Sequence, residues 1–356
     1  MRILAMDLGK GNTVSCLLDT DTGEQEFRTT RMRREAVVDL LERSRPDLVV
    51  FEVSTDAGWI ADLCRERSLR LAALNPASLV RSSHRGRAKS DRRDAEDLAR
   101  LAAVDHRLRE RGVHIPSPAV RERRALIEQR AKAVARRTAR RNELRSLFQS
   151  FGEELPRGHA AWTSKGLALV RERAEAGALG AWGLRRVESM LRGLGESDEE
   201  VAELEGMLDE IAEADPRTAR LQSPRGVGPR GAEAVVAWID DPKRFRSAKQ
   251  VSCYVGLSPR PNQSGSSDRT SRISGAGPKR LRTVLVEVAW TMLRWNEWAR
   301  EVYERALRGS PSRKKQAIVA VARRLLVRLW AMLRDGTEWD PGHGRRVAAR
   351  QAGSPA

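Results

Sequence analysis

Cysteine is scarce in this chain of 356 residues: Cys16, Cys64 and Cys253 stand far apart, with no CxxC pair and no Cys/His cluster. That spacing argues against both a disulfide framework and a thiolate zinc site. Long apolar stretches are missing too, since no run reaches the roughly 18 residues that a membrane-spanning helix needs. The opening MRILAMDLGK enters a strand without the long apolar core of a signal peptide, so a cytoplasmic, nucleoid-associated protein is expected. Acidic residues are in deficit, with 48 Asp plus Glu against 66 Lys plus Arg and a formal net charge of +18. Such an excess calls for a polyanionic partner, and nucleic acid fits better than a membrane. The length allows two or three domains, each with a proper core.

RILAMDL, TVSCLL and EQEFRTT read as three short strands separated by the turn segments GKGN and DTDTGE. The helix REAVVDLLERS, the strand DLVVFEV, the helix AGWIADLCRERS and the strand LRLAALN follow. A three-strand meander continued by alternating helix and strand predicts an α/β domain of ribonuclease-H-like type over residues 1–107. In such a sheet the first strand lies beside the fourth, which brings Asp7 and Glu52 to neighbouring strand ends. The stretch KSDRRDAEDLARL, residues 89–101, then carries Ala95, Leu98, Ala99 and Leu101 at helical spacing, with Ser90 placed as N-cap. Asp91 and Asp94 share one face of its first turn. Acidic residues favour helix N-termini in any case, so this pair also has an ordinary explanation. Four converging carboxylates would nevertheless repel one another unless divalent cations sat among them. All-oxygen ligands suit Mg²⁺ or Mn²⁺, and two such ions about 3.5–4 Å apart can clamp a scissile phosphodiester.

Residues 108–215 read as a helical, coiled-coil-like spacer, basic from VRERRALIEQRAKAVARR onward and acidic in EEVAELEGMLDEIAEAD. Val120, Ile127 and Val134 repeat every seven residues, and Val201, Leu204, Leu208 and Ile211 form an a/d stripe. An antiparallel pair, an oligomeric coiled coil and plain surface helices all remain open at this point. Residues 216–335 are expected to form a mainly α domain with a helix-hairpin-helix-like start. There Gly226 and Gly228 form a tight turn that either offers backbone N–H groups to a phosphate or simply caps a helix. Its segment QSGSSDRTSRISGAG has the composition of a Ser/Gly loop. Arg260, Arg272, Lys279, Arg280 and Arg282, dense beside glycine-rich turns, are candidate phosphate contacts. Trp290, Trp295, Trp298 and Trp330 are expected in the core, and residues 336–356 as a disordered tail.

Taken in order, MDLGK, FEVSTDAGW, LNPASLVR and KSDRRDAEDLARL resemble the N-terminal motifs of the DEDD transposases, an insertion-sequence family related to site-specific DNA invertases. The resemblance implies a domain similar to RuvC-type Holliday-junction resolvases, with its four acids at Asp7, Glu52, Asp91 and Asp94. DPKRFRSAKQVSCYVGLSPRPNQSGSSDRTSRISGAGPKRLR resembles the family's C-terminal motif, whose nucleophile is a serine preceding a glycine. The matching pair here is Ser264 and Gly265, with Ser266 and Ser267 adjoining. A serine oxygen can hold a DNA strand covalently through two transesterifications, although no histidine lies near it in sequence to serve as base. The family likeness further implies DNA as donor and target, an element-encoded guide RNA, and a homo-oligomer, dimer or tetramer, in which a resolvase-like domain faces a neighbouring chain's serine domain. A junction nuclease using only the four acids and a non-enzymatic nucleic-acid scaffold are the competing functions. DLGKGNT also resembles the phosphate hairpin of actin-like ATPases, but nothing after residue 105 supplies their second hairpin or adenosine site.

Overall fold

A computed structural model describes residues 1–75, 90–106, 112–177, 179–264 and 267–342, leaving the side chains of residues 260–272 outside the description. Residues 76–81 of the LNPASLVR motif, Gly265 and Ser266 therefore lie outside the described residues. The chain divides into two compact units, Met1–Arg121 and Glu122–Ala356.

The first unit is an α/β layer structure. Strands β1 (Arg2–Leu8), β2 (Asn12–Asp19), β3 (Gln25–Arg31), β4 (Leu48–Glu52) and β5 (Arg70–Leu74) form one sheet in the order β3-β2-β1-β4-β5. The β1–β2 and β2–β3 pairs are antiparallel, whereas β1–β4 and β4–β5 are parallel. Alternation along each strand sorts the side chains onto two faces. Leu4, Met6, Val49 and Phe51 point to the side covered by α1 (Arg34–Ser44) and α2 (Ala57–Glu66). Ile3, Ala5, Leu48 and Val50 point to the other side, covered by Ala95, Leu98, Ala99 and Ala102 of α3 (Asp91–Val104). Three of those four helix residues are alanines, so α3 lies close against the sheet.

The second unit is helical apart from one hairpin among the described residues. It contains α4 (Pro118–Gln149, which begins in the first unit), α5 (Ser164–Glu175), α6 (Gly183–Glu213), α7 (Pro216–Leu221), α8 (Pro229–Ile239), α9 (Ala248–Val255), α10 (Lys279–Trp295), α11 (Glu297–Leu307) and α12 (Lys314–Asp335). The basic α4 and the acidic α6 pair antiparallel within one chain, since Arg123 meets Asp215, Arg137 meets Asp198, and Leu147 shares a core with Val187. Ala133, Val201 and Leu204 form the middle of that seam, and Ile127 with Leu208 joins the core of the C-terminal helices. The heptad stripes are thus satisfied in cis and give no support to an oligomeric coiled coil. Residues from the expected 108–215 spacer and the 216–335 segment share one core, because the end of the α4–α6 pair that carries Ile127 and Leu208 continues into it.

All nine arginines of α4 have partners inside the chain. Arg121, Arg123, Arg130, Arg136, Arg137, Arg140 and Arg141 face carboxylates, while Arg124 and Arg145 donate to backbone carbonyls. The exposed pairs contribute little each. Arg123 is different: it is buried and donates to Asp215 at 2.8 Å and to the Thr218 hydroxyl at 2.8 Å, a pair costly to break.

Within the C-terminal core, α8 is buried on every side from Gly231 to Ile239. Two aromatic expectations fail there. Trp290 and Trp295 are exposed, because α10 buries the stripe Leu281, Leu285, Ala289 and Met292 and both tryptophans fall off it. Trp330 is buried and Trp298 half-buried against the core. The expected tail is placed as far as Gly342: Trp339 packs edge-on against Trp298 with ring centroids 5.1 Å apart, and its backbone N–H donates to Ser223.

The QSGSSDRTSRISGAG segment pairs as an antiparallel hairpin of β6 (Pro259–Ser264) and β7 (Ser267–Ile273). Its root is locked. Gly256 and Gly277 both have positive φ, and a Cβ on either would collide with backbone: Ala276 O at 2.1 Å for Gly256 and Tyr254 O at 1.9 Å for Gly277. The Ser274 N–H donates to Ser258 O, and the Arg282 guanidinium donates to the carbonyls of Val255, Ala276 and Gly277 at 2.9, 2.7 and 3.2 Å.

Two predictions follow from this packing. Arg282→Ala leaves three carbonyls without their charged donor and should cost about 2 kcal/mol of C-terminal-unit stability; hydrogen exchange should show faster exchange at Gly256, Ser274 and Gly275. Unchanged exchange would show that the hairpin root stands without it. Glu233 is fully buried in α8, 3.2 Å from Arg230, with both carboxyl oxygens lacking hydrogen bonds among the described residues. Burial pushes its carboxyl up from 4.5 to about 7. The folded chain therefore holds this proton where the unfolded chain has released it, so stability from this group falls as pH rises from about 4.5 to 7. Glu233→Gln should raise the melting temperature at pH 8, through a stability gain of at most about 3–4 kcal/mol that vanishes near pH 4.

Candidate active site

Asp7 is the next-to-last residue of β1, one residue beyond the Met6↔Phe51 pair, and Glu52 ends β4 at the adjoining position. Strand alternation puts Asp7 in phase with Ile3 and Ala5, and Glu52 in phase with Leu48 and Val50, so both belong to the face that α3 covers. The parallel β1–β4 pair thus delivers two acids to one corner of the sheet. The Thr13 hydroxyl, fully buried on β2, donates to the Asp7 carbonyl at 2.8 Å and anchors the strand end.

The first turn of α3 meets that corner. Ser90 stands in the cap position with extended backbone, and its carbonyl accepts from the N–H groups of Arg93 and Asp94 at 2.9 and 3.0 Å. Its hydroxyl makes no capping bond, which leaves Asp91 and Asp94 as the polar groups of the turn. One carboxylate oxygen from each of Asp7, Asp91 and Asp94 lies within 4.8 Å of the others. Asp7 and Asp94 are half-buried and Asp91 is exposed, so the cluster opens to solvent on one side. Glu52 stands outside this close group although it shares the face.

The donor set fits a divalent cation of the hard kind. It is oxygen-only and anionic, it comes from two separate elements, and among the described residues neither thiolate nor imidazole joins it. A helix-end role for Asp91 and Asp94 leaves Asp7 unexplained, since Asp7 lies on a strand. Of the arginines around the cluster, Arg92 stacks over the Phe27 ring at 4.1 Å and Arg100 pairs with Glu96 at 2.6 Å.

The second set of candidates lies in the other unit. Ser264 is the last residue of β6 and pairs in register with Ser267 across the hairpin tip; the side chains of Arg260, Ser264, Ser267 and Arg272 lie outside the described ones. Arg280 pairs with Glu128 at 3.0 Å and Arg282 clamps the hairpin root, so both serve the fold first. Lys279 is exposed at the start of α10. In the Gly226–Gly228 turn, Gly226 has φ +104° and approaches Met292 so closely that a Cβ would sit 2.9 Å from its Cα. Packing alone accounts for that glycine. The cationic residues of α11 and α12 escape a motif search, because they are spread over two helices and converge only in the folded chain.

Comparison with known proteins bears on both units. A family model for the DEDD transposases of IS110 elements, described as "Transposase", matches residues 4–152. A second, described as "Transposase IS116/IS110/IS902 family", matches residues 218–304. A transposase candidate named y4rJ from Sinorhizobium fredii is 30% identical over 322 residues, covering 82% of this chain and 78% of the relative. The transposase for insertion sequence element IS1111A from Coxiella burnetii is 28% identical, covering 94% of this chain and 90% of the relative. A family 20 transposase candidate from Pseudomonas aeruginosa is 28% identical over 95% of this chain and 98% of its own length. With the acid cluster inside the first matched segment and the hairpin inside the second, the chain belongs to the IS110/IS116 family of DEDD transposases, DNA-transposing enzymes of insertion sequences.

Proposed function

We propose that this transposase cleaves and rejoins DNA strands with a divalent-metal cluster held by Asp7, Asp91 and Asp94, completed by Glu52, and with Ser264 as the residue that links covalently to the strand. The observation that carries the proposal is the convergence of three carboxylates from β1 and α3 within 4.8 Å. Bound Mg²⁺ or Mn²⁺ supplies charge neutralisation at the scissile phosphate and lowers the pKa of an attacking hydroxyl. The chain's own contribution is to hold the ligands. Asp7 is fixed by its strand, Asp91 and Asp94 by the first turn of a helix seated on alanines, and Glu52 waits at the neighbouring strand end as the fourth acid. The sheet order β3-β2-β1-β4-β5, with a long antiparallel meander and parallel β4 and β5, supports a ribonuclease-H-like fold of RuvC type for this unit.

Ser264 sits at the tip of a hairpin whose root is tied by Gly256, Gly277 and Arg282. A stiff root positions a nucleophile at a protruding tip and reduces the orientational freedom that a strand-transfer step would otherwise have to overcome. Guidance by an element-encoded RNA rests on the family likeness, and the net charge of +18 is compatible with it and with donor and target DNA as the other nucleic acids. Assembly as a homo-oligomer rests on the family likeness alone.

Asp7→Asn, Asp91→Asn and Asp94→Asn should each cut strand cleavage in Mg²⁺ by more than about 100-fold, with an unchanged circular-dichroism spectrum. Such a loss exceeds the ~10–100-fold typical of outer-shell partners, and Glu52→Gln, which removes the fourth acid, should show a loss of the same order. Full cleavage by the Asp91 and Asp94 variants would reduce those residues to ordinary helix-end acids. A denaturation-resistant protein–DNA adduct should form with wild-type protein and vanish in Ser264→Ala. Adduct formation that persists in Ser264→Ala but disappears when Ser266 or Ser267 is replaced would move the nucleophile, and cleavage without any adduct would favour a junction nuclease.

A further inference from the structure

A concavity of the C-terminal unit carries no role in the site described above. It is a cavity of about 760 Å³ between α9, α11 and α12, with Ser258 and Pro341 on its margin. Its wall holds five cationic side chains, Lys249, Arg305, Arg323, Arg324 and Arg328, against one carboxylate, Glu301. Arg305 reaches that carboxylate only at 4.0 Å. Arg323, Arg324 and Lys249 make no ion pair or hydrogen bond among the described residues. This is the reverse of α4, whose arginines all have internal partners.

Two further observations point to an anion-binding surface. Arg328 donates through Nη2 to the Asp340 carbonyl and stacks over Trp339 and Trp298, at 3.5 and 4.9 Å, while its Nη1 is buried with no hydrogen-bond partner among the described residues. Burial pushes the Arg328 guanidinium down to about 10. Arg324 is lowered as well, by burial first and then by the like charges of Arg305 and Arg323. A group of cations that repel one another in a concave, partly desolvated wall is stabilised by a bound anion.

We propose that this cavity binds the phosphodiester backbone of a nucleic-acid strand, through Lys249, Arg305, Arg323, Arg324 and Arg328, beside the root of the β6–β7 hairpin. The volume lies within the roughly 300–1,000 Å³ of ordinary ligand clefts and admits a nucleotide unit. A ligand with several phosphates suits five cations spread over three helices better than a single small anion does. The half-buried Trp298 adds an aromatic surface of the kind on which bases stack. The position is specific too. Ser258 lines the cavity and accepts from Ser274 across the hairpin root, so a strand held here runs along the element that ends at Ser264. This assignment rests on the reading of the chain as an enzyme that handles nucleic-acid strands, and it adds a binding surface none of whose residues belongs to the acid cluster or the hairpin.

The test measures binding of a labelled single-stranded DNA oligonucleotide to the full chain and to an Arg323→Ala/Arg324→Ala double variant over a salt series. Neither arginine has an internal partner among the described residues, so the variant should keep the wild-type melting temperature; Lys249→Ala, from α9, provides an independent second variant. Affinity should drop at least about tenfold in the double variant, and the slope of log affinity against log salt should shrink by about 1.4, two phosphate contacts at ~0.7 each. Equal affinity and slope in both variants would overturn the assignment. Loss of inorganic phosphate binding by calorimetry with oligonucleotide binding unchanged would also overturn it, as a site for a free anion. If wild-type protein itself failed to bind the oligonucleotide at low salt, the strand-handling reading would fail instead.

Discussion

The parallel pairing of β1 with β4 is the interaction on which the candidate site depends. It sets the register that leaves Asp7 and Glu52 side by side at the strand ends, and strand alternation then commits both to the face covered by α3. A slip of one residue in that pairing would turn one of the two acids toward α1 and α2 and so separate them. The register is held by apolar residues on both faces, with Ile3, Ala5, Leu48 and Val50 against α3 and Leu4, Met6, Val49 and Phe51 on the other side. The alanine stripe of α3 lets the helix approach until Asp91 and Asp94 meet Asp7. Three carboxylates are thereby fixed at a separation that mutual repulsion opposes, a cost met by the large apolar core beneath them.

Charge is distributed by a different logic in the second unit. The most basic helix of the sequence, α4, is neutralised along its length by α6, α2 and backbone carbonyls, so its arginines hold the fold together. Among the described residues, Lys249, Arg323 and Arg324 have no ion-pair partner and line a concave wall near the hairpin root. Net charge alone points to a polyanionic partner, but only the folded chain separates cations engaged in the fold from cations available to a ligand.

Much of the first unit was legible in sequence. Its strands are short apolar runs bounded by Gly, Asp and Thr turns, and the periodicity of KSDRRDAEDLARL marks its helix. Asp7, Asp91 and Asp94 meet as their spacing suggested, while Glu52 shares the face but stands outside the close group. The second unit was harder to read. β6 and β7 are rich in Ser, Arg and Pro, without the apolar alternation that marks a half-buried strand, so the hairpin looks like a loop. The acidic helix begins sixteen residues earlier than its heptads suggest, at Gly183 against Glu199, because Gly193 and Gly195 dilute the pattern upstream. Trp290 and Trp295 are apolar by type yet lie off the buried stripe of their helix, which composition does not reveal. The cationic wall needs three helices to assemble and leaves no motif.

The central claim is that Asp7, Asp91 and Asp94 hold a divalent cation, and the most direct measurement is anomalous diffraction from crystals soaked in Mn²⁺. An anomalous peak within coordination distance of these three carboxylates, about 2.0–2.6 Å from their oxygens, is the predicted result, and it should disappear in Asp94→Asn crystals of the same form. Well-ordered carboxylates with no peak between them at millimolar Mn²⁺, or a peak that survives the Asp94→Asn substitution, would contradict the account.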